Sequence, residues 1–342
     1  MNMTVIISTL TIARVIIGSG FISGKEIATF FSRFGTISFA CIILAFAIYF
    51  FTIKLILIHA SKILDRLSSS RLASISSLII SIVITSAMFA GLTKVLQFHF
   101  VFNLLILFII IIGATFVFKR GLKALSKINL FFTGTSIAIF SFLIFSRLGD
   151  NIVTLKSSIF APIYSLLYVA LNLSLSIVII ASIGKKLSSR QKTRVAFLSA
   201  LVLCLLIFIV NIVLLQNQSL LGQDMPILSL FSGGARIVMQ IIIFISCLTS
   251  IYSLVFSTSV SLRGLCKNEF INFGVSIILP LLIGLIGYGV IIDYVYPIIS
   301  VLSVIVLIDL LFIPFFKRTN KKIHSSGKDT KKGDACHNDI KF

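Results

Sequence analysis

Charge is what this sequence has least of. Only 12% of its 342 residues are charged, while 58% are hydrophobic. A soluble domain of this length needs far more charge to cover its surface, so a water-soluble globule is excluded. Acidic residues are the scarcest, with 10 Asp and Glu against 30 Lys and Arg. Histidine is rare, and His59 and His99 sit at the ends of apolar runs with no metal-binding pattern. The five cysteines, Cys41, Cys204, Cys247, Cys266 and Cys336, are scattered and odd in number. They offer neither a zinc spacing nor a disulfide framework and read as small apolar fillers. An intramembrane enzyme needs H-E-x-x-H, a Ser/His pair or paired acids at span depth. Only Glu26 and Asp309 lie within apolar runs, far apart in sequence. No enzymatic activity and no resident cofactor are expected.

What the chain does have is long apolar runs of roughly 18 to 25 residues, the length that crosses a hydrocarbon core. In lipid each backbone N–H and C=O must be satisfied within the segment, so such runs are helices. The alternation of a membrane β-barrel is missing. The spans read as Thr4–Phe34, Thr36–Ile58, Leu72–Gln97, Phe100–Phe118, Ala124–Phe145, Ile159–Ile183, Val195–Leu215, Ala235–Leu262, Phe270–Ile292 and Tyr294–Phe316. The basic tail 317–342 has no apolar periodicity and is expected to be disordered. Met1 to Gly18 lacks a basic leader and carries Arg14 inside its apolar run. It is expected to stay in the mature protein as a span, not to be a cleaved signal.

The net charge of +20 suggests nucleic acid until its placement is considered. Twenty-two Lys and Arg fall in alternate loops and the tail, and only five on the other side. That asymmetry orients a membrane protein, with the basic side and both termini in the cytoplasm. Lipid and a small solute, not nucleic acid, are the expected partners. About ten spans divide into five plus five, residues 4–145 and 159–316. Five being odd, a second half that repeats the first enters from the opposite side, as in many carriers of the inner (cytoplasmic) membrane.

The first span is too long for one straight crossing, since Thr4–Phe34 as continuous helix would extend about 46 Å. Three glycines fall in seven residues, Gly18-Ser19-Gly20-Phe21-Ile22-Ser23-Gly24. Each weakens a helix by about 1 kcal/mol relative to Ala. Ser23-Gly24-Lys25-Glu26 then fits a capping box, with Ser23 capping the N–H of Glu26 and Glu26 reaching back to Ser23. The span therefore reads as two half-helices with an unwound joint. Such a joint presents carbonyls that suit a cation and N–H groups that suit a carboxylate, and it is tolerated where it lines a cavity. Gly20-x-x-x-Gly24 is also a helix-packing motif. A phosphate loop fails at Ser19 and Glu26, and a dinucleotide loop at Ser23.

Gly18 to Ile27, followed by Phe30-Phe31-Ser32-Arg33-Phe34-Gly35, resembles the opening motif of the YkvI-like membrane proteins. That family is a branch of the amino acid–polyamine–organocation superfamily. Ala87-Met88-Phe89-Ala90-Gly91, Tyr168 with Asn172-Leu173, Asp224-Met225-Pro226 and Phe256-Ser257-Thr258 resemble further motifs of the family. The resemblance covers most of residues 4–316. It implies an all-α membrane protein with the LeuT-type 5+5 inverted repeat and broken first and sixth helices. It implies substrate contacts at Gly18, Ser19, Gly20, Phe21, Ser23, Gly24, Tyr168 and Asn172. It also implies a Na⁺ site between Val15 and Gly18 and the hydroxyls of Ser257 and Thr258. The sixth span departs from the pattern, having no glycine near Asn172.

Ionisable groups inside a membrane are functional by default. Arg14 and Asp309 lie at similar depths from the cytoplasmic side. They are expected to pair as an inner gate or a static brace, with Asp309 alternatively a proton carrier. Glu26 is a further gating or proton-coupling candidate. Lys127 could stand in for Na⁺ or anchor its span, and Lys54 and Lys94 read as snorkelling. The function expected is ion-coupled transport, as symporter or exchanger, of an amino acid or similar zwitterion with Na⁺ or H⁺. The alternative is a ligand-sensing receptor subunit on the same fold.

Overall fold

The computed structural model describes residues 3–17, 19–96, 113, 138–149, 158–262 and 268–311. Gly18, Lys127, the expected fourth span apart from Gly113, most of the fifth and the tail lie outside them. The chain is a multi-pass membrane protein. Six described helices are long and apolar enough to cross a bilayer: Ile37–Ile58, Ala73–Val95, Ala161–Gly184, Ser189–Gln216, Gly233–Val255 and Tyr288–Leu311. Met3–Ile16 and Glu269–Gly284 are shorter apolar helices.

In chain order, α1 is Met3–Ile16, α2 Ser19–Ser23 and α3 Lys25–Phe30. These three pieces make the first span. Next come α4 (Ile37–Ile58), α5 (Ala60–Ser69) and α6 (Arg71–Leu96). After the helical stretch 138–145 follow α7 (Ala161–Gly184), α8 (Ser189–Gln216) and the short α9 (Pro226–Ser229). The last are α10 (Gly233–Leu262), α11 (Glu269–Gly284) and α12 (Tyr288–Leu311), which contains a π-helical stretch at Ile291–Val295.

The helices sort into two groups around the first span. α4, α7 and α8 pack together, α6, α10 and α11 pack together, and α12 touches both α7 and α6. The pieces of the first span divide between them: α1 lies on α7 and α8, and α2 on α6 and α10. Lipid tails are as apolar as the side chains, so close packing rather than the hydrophobic effect joins such helices. Gly184 lets α7 approach the Leu57 carbonyl of α4, and Gly284 lets α11 approach the Ser86 carbonyl of α6. Exposed residues such as Ile43, Phe51 and Ile237 are left for the lipid.

Three expectations about the elements need correction. The sixth span, α7, is one continuous helix across Tyr168 and Asn172. Its polar side chains bond its own carbonyls: Asn172 Nδ2 donates to Tyr168 O at 2.9 Å and Ser176 Oγ to Asn172 O at 2.8 Å. With no glycine near Asn172, and the Asn172 and Ser176 side chains satisfied locally, nothing there unwinds the helix. The boundary between the last two spans also moves. The turn is at Leu285–Gly287, where Gly287 has a φ of 109°, and not at Asp293. The first basic loop, finally, contains the helix α5, packed on α7 and α12.

Candidate functional site

The first span breaks twice near its centre. α1 ends at Ile16, and α2 runs from Ser19 to Ser23. Gly24 then sits at φ 80°, a left-handed conformation that ends α2 and starts α3. A side chain there would also collide with Ile227 of α9, so Gly24 is required twice over.

The expected capping box does not form. Gly24, not Ser23, occupies the cap of α3, and no side chain caps it. Ser23 Oγ instead accepts from Lys25 N at 3.2 Å and donates to Gly20 O at 2.8 Å. It also shares a 2.7 Å hydrogen bond with the hydroxyl of Tyr288. Freed from capping, Glu26 turns its carboxyl against Gly20, whose missing Cβ leaves room for it.

Glu26 is 7% exposed and has no hydrogen bond or ion pair among the described residues. The buried core of the bundle also holds four tyrosines, Tyr49 of α4, Tyr168 of α7, and Tyr288 and Tyr296 of α12. The hydroxyls of Tyr49 and Tyr296 are buried with no hydrogen-bond partner among the described residues. Buried polar groups are nearly always hydrogen-bonded, so these hydroxyls stand out.

The adjacent Lys25 does not neutralise Glu26. Its ammonium lies 2.7 Å from Asp293 Oδ2, and Thr29 Oγ1 donates to Asp293 Oδ1 at 2.7 Å. This clasp joins α3 to the π-helical stretch of α12. With α9 seated on Gly24, it closes the joint on the side facing away from the N-terminus. Beyond lies a cleft lined by Lys94, Gln223, Asp224 and Arg236. Lys94, expected to snorkel, pairs with Asp224 there at 2.7 Å. Beneath α3, Phe30 and Phe31 stack with Tyr168 at ring separations of 5.5 and 5.2 Å. Tyr168 thus contacts the C-terminal end of α3.

No protein-family model matches the chain. The uncharacterized membrane protein YkvI of Bacillus subtilis (strain 168) is 22% identical over 316 residues, 84% of this chain and 90% of YkvI. The solved structure of Mhp1 in its inward-facing conformation superposes with a TM-score of 0.58 and 11% identity, over 93% of this chain and 77% of Mhp1. The fold is of the LeuT type. The chain is YkvI-like, as the opening motif suggested.

In the LeuT-type frame the expected cation residues are partly visible. Thr258 Oγ1 is buried, with no partner among the described residues. The end of α1 leaves carbonyls around Val15 without helical partners. The side chains of Ser19 and Ser257 and all of Gly18 fall outside the described residues. Phe21 is buried and meets Phe140 at a ring separation of 6.0 Å. Asn172 is buried but spends its amide on its own helix.

The expected Arg14–Asp309 pair is not present. Asp309 is taken by Arg66 of α5, with Nη2 2.6 Å from Oδ1, and Ser70 Oγ donates to Oδ2 at 3.3 Å. Equal depth was a sound criterion, but α5 brings a second cation to the same level. Arg14 has no ion pair among the described residues. Sequence reasoning missed Asp293, taken for a loop residue, and Tyr49 and Tyr296, whose apolar neighbours hide them in their spans.

Proposed function

We propose that the chain is an ion-coupled secondary transporter of an amino acid or a similar small zwitterion. One observation carries this reading. The first helix of a LeuT-type bundle is broken at its centre, Glu26 lies against Gly20 of the break, and Glu26 and the hydroxyls of Tyr49, Tyr296 and Thr258 are buried with no partner among the described residues. A protein whose sole task was structural would have no reason to leave these groups unsatisfied. The binding residues we assign are Gly18, Ser19, Gly20, Phe21, Ser23 and Gly24, with Tyr168 across from them. A coupling Na⁺ would be held by Thr258 and Ser257 with the backbone from Val15 to Gly18, where it would supply charge for carboxylate binding. Alternatively, Lys127 would stand in for that cation as a fixed charge, making the carrier proton-coupled or an exchanger.

The basic loops orient the face that carries α5 and both termini toward the cytoplasm. On that assignment the Lys25–Asp293 clasp is the outer closure and the Arg66–Asp309 pair a cytoplasmic tie. Reconstitution tests the reading. Labelled amino acids should accumulate in proteoliposomes under an imposed Na⁺ or H⁺ gradient, and ionophores should abolish accumulation. Binding without uptake under either gradient would instead favour a ligand-sensing receptor.

A further inference from the structure

We propose that the cleft beyond the first-span joint is a separate binding site for a small carboxylate, held by Arg236 and the Gln223 amide with Lys94 as a second cation. The site goes beyond the transporter reading and does not depend on it, because a sensing receptor on the same fold could use it equally.

The cleft has a volume of about 370 Å³, within the range of small-molecule sites. Met225 and Leu228, both buried, supply its apolar lining. Ile227 of the same short helix α9 lies against Gly24, so α9 stands between the cleft and the joint.

Two cations and one anion line the cleft among the described residues. Asp224 is already committed. Its Oδ2 lies 2.7 Å from the Lys94 ammonium, and its Oδ1 lies against Gly289, where any side chain would collide with it. Arg236 is exposed, and neither it nor the Gln223 side chain has an ion pair or hydrogen bond among the described residues. The rest of the chain has few acids to offer. Glu26, Asp293 and Asp309 are placed elsewhere, Asp65 and Glu269 lie in loops of the opposite face, and Asp329, Asp334 and Asp339 belong to the tail. Asp150 is left; it lies outside the described residues and enters the test.

A guanidinium presents its N–H groups as a planar fork that matches two carboxylate oxygens. The Gln223 amide adds two donors, and Lys94 keeps the N–H groups that Asp224 does not take. The lining carries one net positive charge, which suits a monocarboxylate better than a divalent phosphate. A cationic solute would be repelled by Arg236 and Lys94.

Gly222 also lines the cleft, and a Cβ there meets nothing within 4 Å. The reporter is therefore Gly222→Cys in a cysteine-free background of the purified full-length protein. It is labelled with methanethiosulfonates bearing a sulfonate or a trimethylammonium group, each rate divided by that with mercaptoethanol. The anionic reagent should be favoured several-fold, Arg236→Gln should remove most of that preference, and Arg236→Lys should keep it. Propionate or isocaproate should slow labelling by a neutral maleimide. Propionamide and isocaproamide should not, nor should chloride or phosphate at the same concentration. The proposal is overturned by no anionic preference, by a preference that survives Arg236→Gln, by no protection from either carboxylate, or by equal protection from the amides, chloride or phosphate. A preference that appears only with Asp150→Asn also overturns it, since Asp150 would then be the partner of Arg236. If the cysteine-free chain fails to fold, thermal shift on the chain with its native cysteines takes its place. Arg236 is exposed, so Arg236→Gln should fold, and it should need several-fold more carboxylate than wild type for the same stabilisation. Equal stabilisation of the two overturns the proposal.

Discussion

Lys25 and Asp293 form a clasp that ties the second half of the broken first helix to the start of the last, with the ammonium 2.7 Å from the carboxylate. Lys25 has 3% of its side chain exposed and Asp293 34%. The next residue, Glu26, faces the other way, into the bundle. Two adjacent charges thus have opposite fates: one is paired at the closure, and the other is unpaired at the centre.

Breaking the clasp from one side leaves a charge stranded, which in a buried pair costs about 3 kcal/mol and here somewhat less, because Asp293 is partly solvated. Lys25→Met and Asp293→Asn should each lower thermal stability, and the Lys25→Met/Asp293→Leu double variant should recover most of the loss. The single variants should also open the joint. A Ser23→Cys reporter in a cysteine-free background should label several-fold faster from outside when Asp293 is replaced.

Gly24→Ala combines two penalties, a left-handed φ of 80° and a collision with Ile227. The backbone part alone is worth about 1 kcal/mol. Ile227→Ala in the same chain should relieve the collision and leave the backbone penalty. Chemical denaturation of both variants measures the difference.

Asp309 separates the observed pairing from the expected one. A double-mutant cycle of Arg66→Gln with Asp309→Asn should give a coupling energy of about 0.5 kcal/mol or more. The same cycle with Arg14→Gln should give a value near zero. Coupling to Arg14 alone would restore the pair read from depth.

Thr258→Val removes a hydroxyl that bonds to nothing described, so stability without ligand should hardly change. If that hydroxyl ligates Na⁺, the Na⁺ concentration that stabilises the protein should rise about tenfold or more. A thermal-shift titration with NaCl against choline chloride reads this directly.

The sequence revealed most where one residue type admits one explanation. Glycines at 18, 20 and 24 within an apolar run meant a broken span, and the break lies there. Run lengths found the membrane helices, and the opening motif pointed to the LeuT type. Sequence failed where partners are chosen in three dimensions. Asp293 falls between the ninth and tenth expected spans, yet Lys25 is folded onto it. Ser23 and Glu26 have capping-box spacing, but the left-handed Gly24 displaces the cap by one residue. Arg14 and Asp309 share a depth, but α5 delivers Arg66 to the same place. The unbroken sixth helix follows from its local hydrogen bonds, which only coordinates reveal.

The central claim is that the joint of the first span carries a solute across the membrane. Counterflow tests it most directly. Proteoliposomes loaded with unlabelled amino acids are diluted into each labelled amino acid in turn, with wild type and Gly24→Ala compared. The account predicts transient accumulation of at least one label with wild type and none with a folded Gly24→Ala variant. No counterflow for any label with wild type, or equal counterflow in the two proteins, would contradict it.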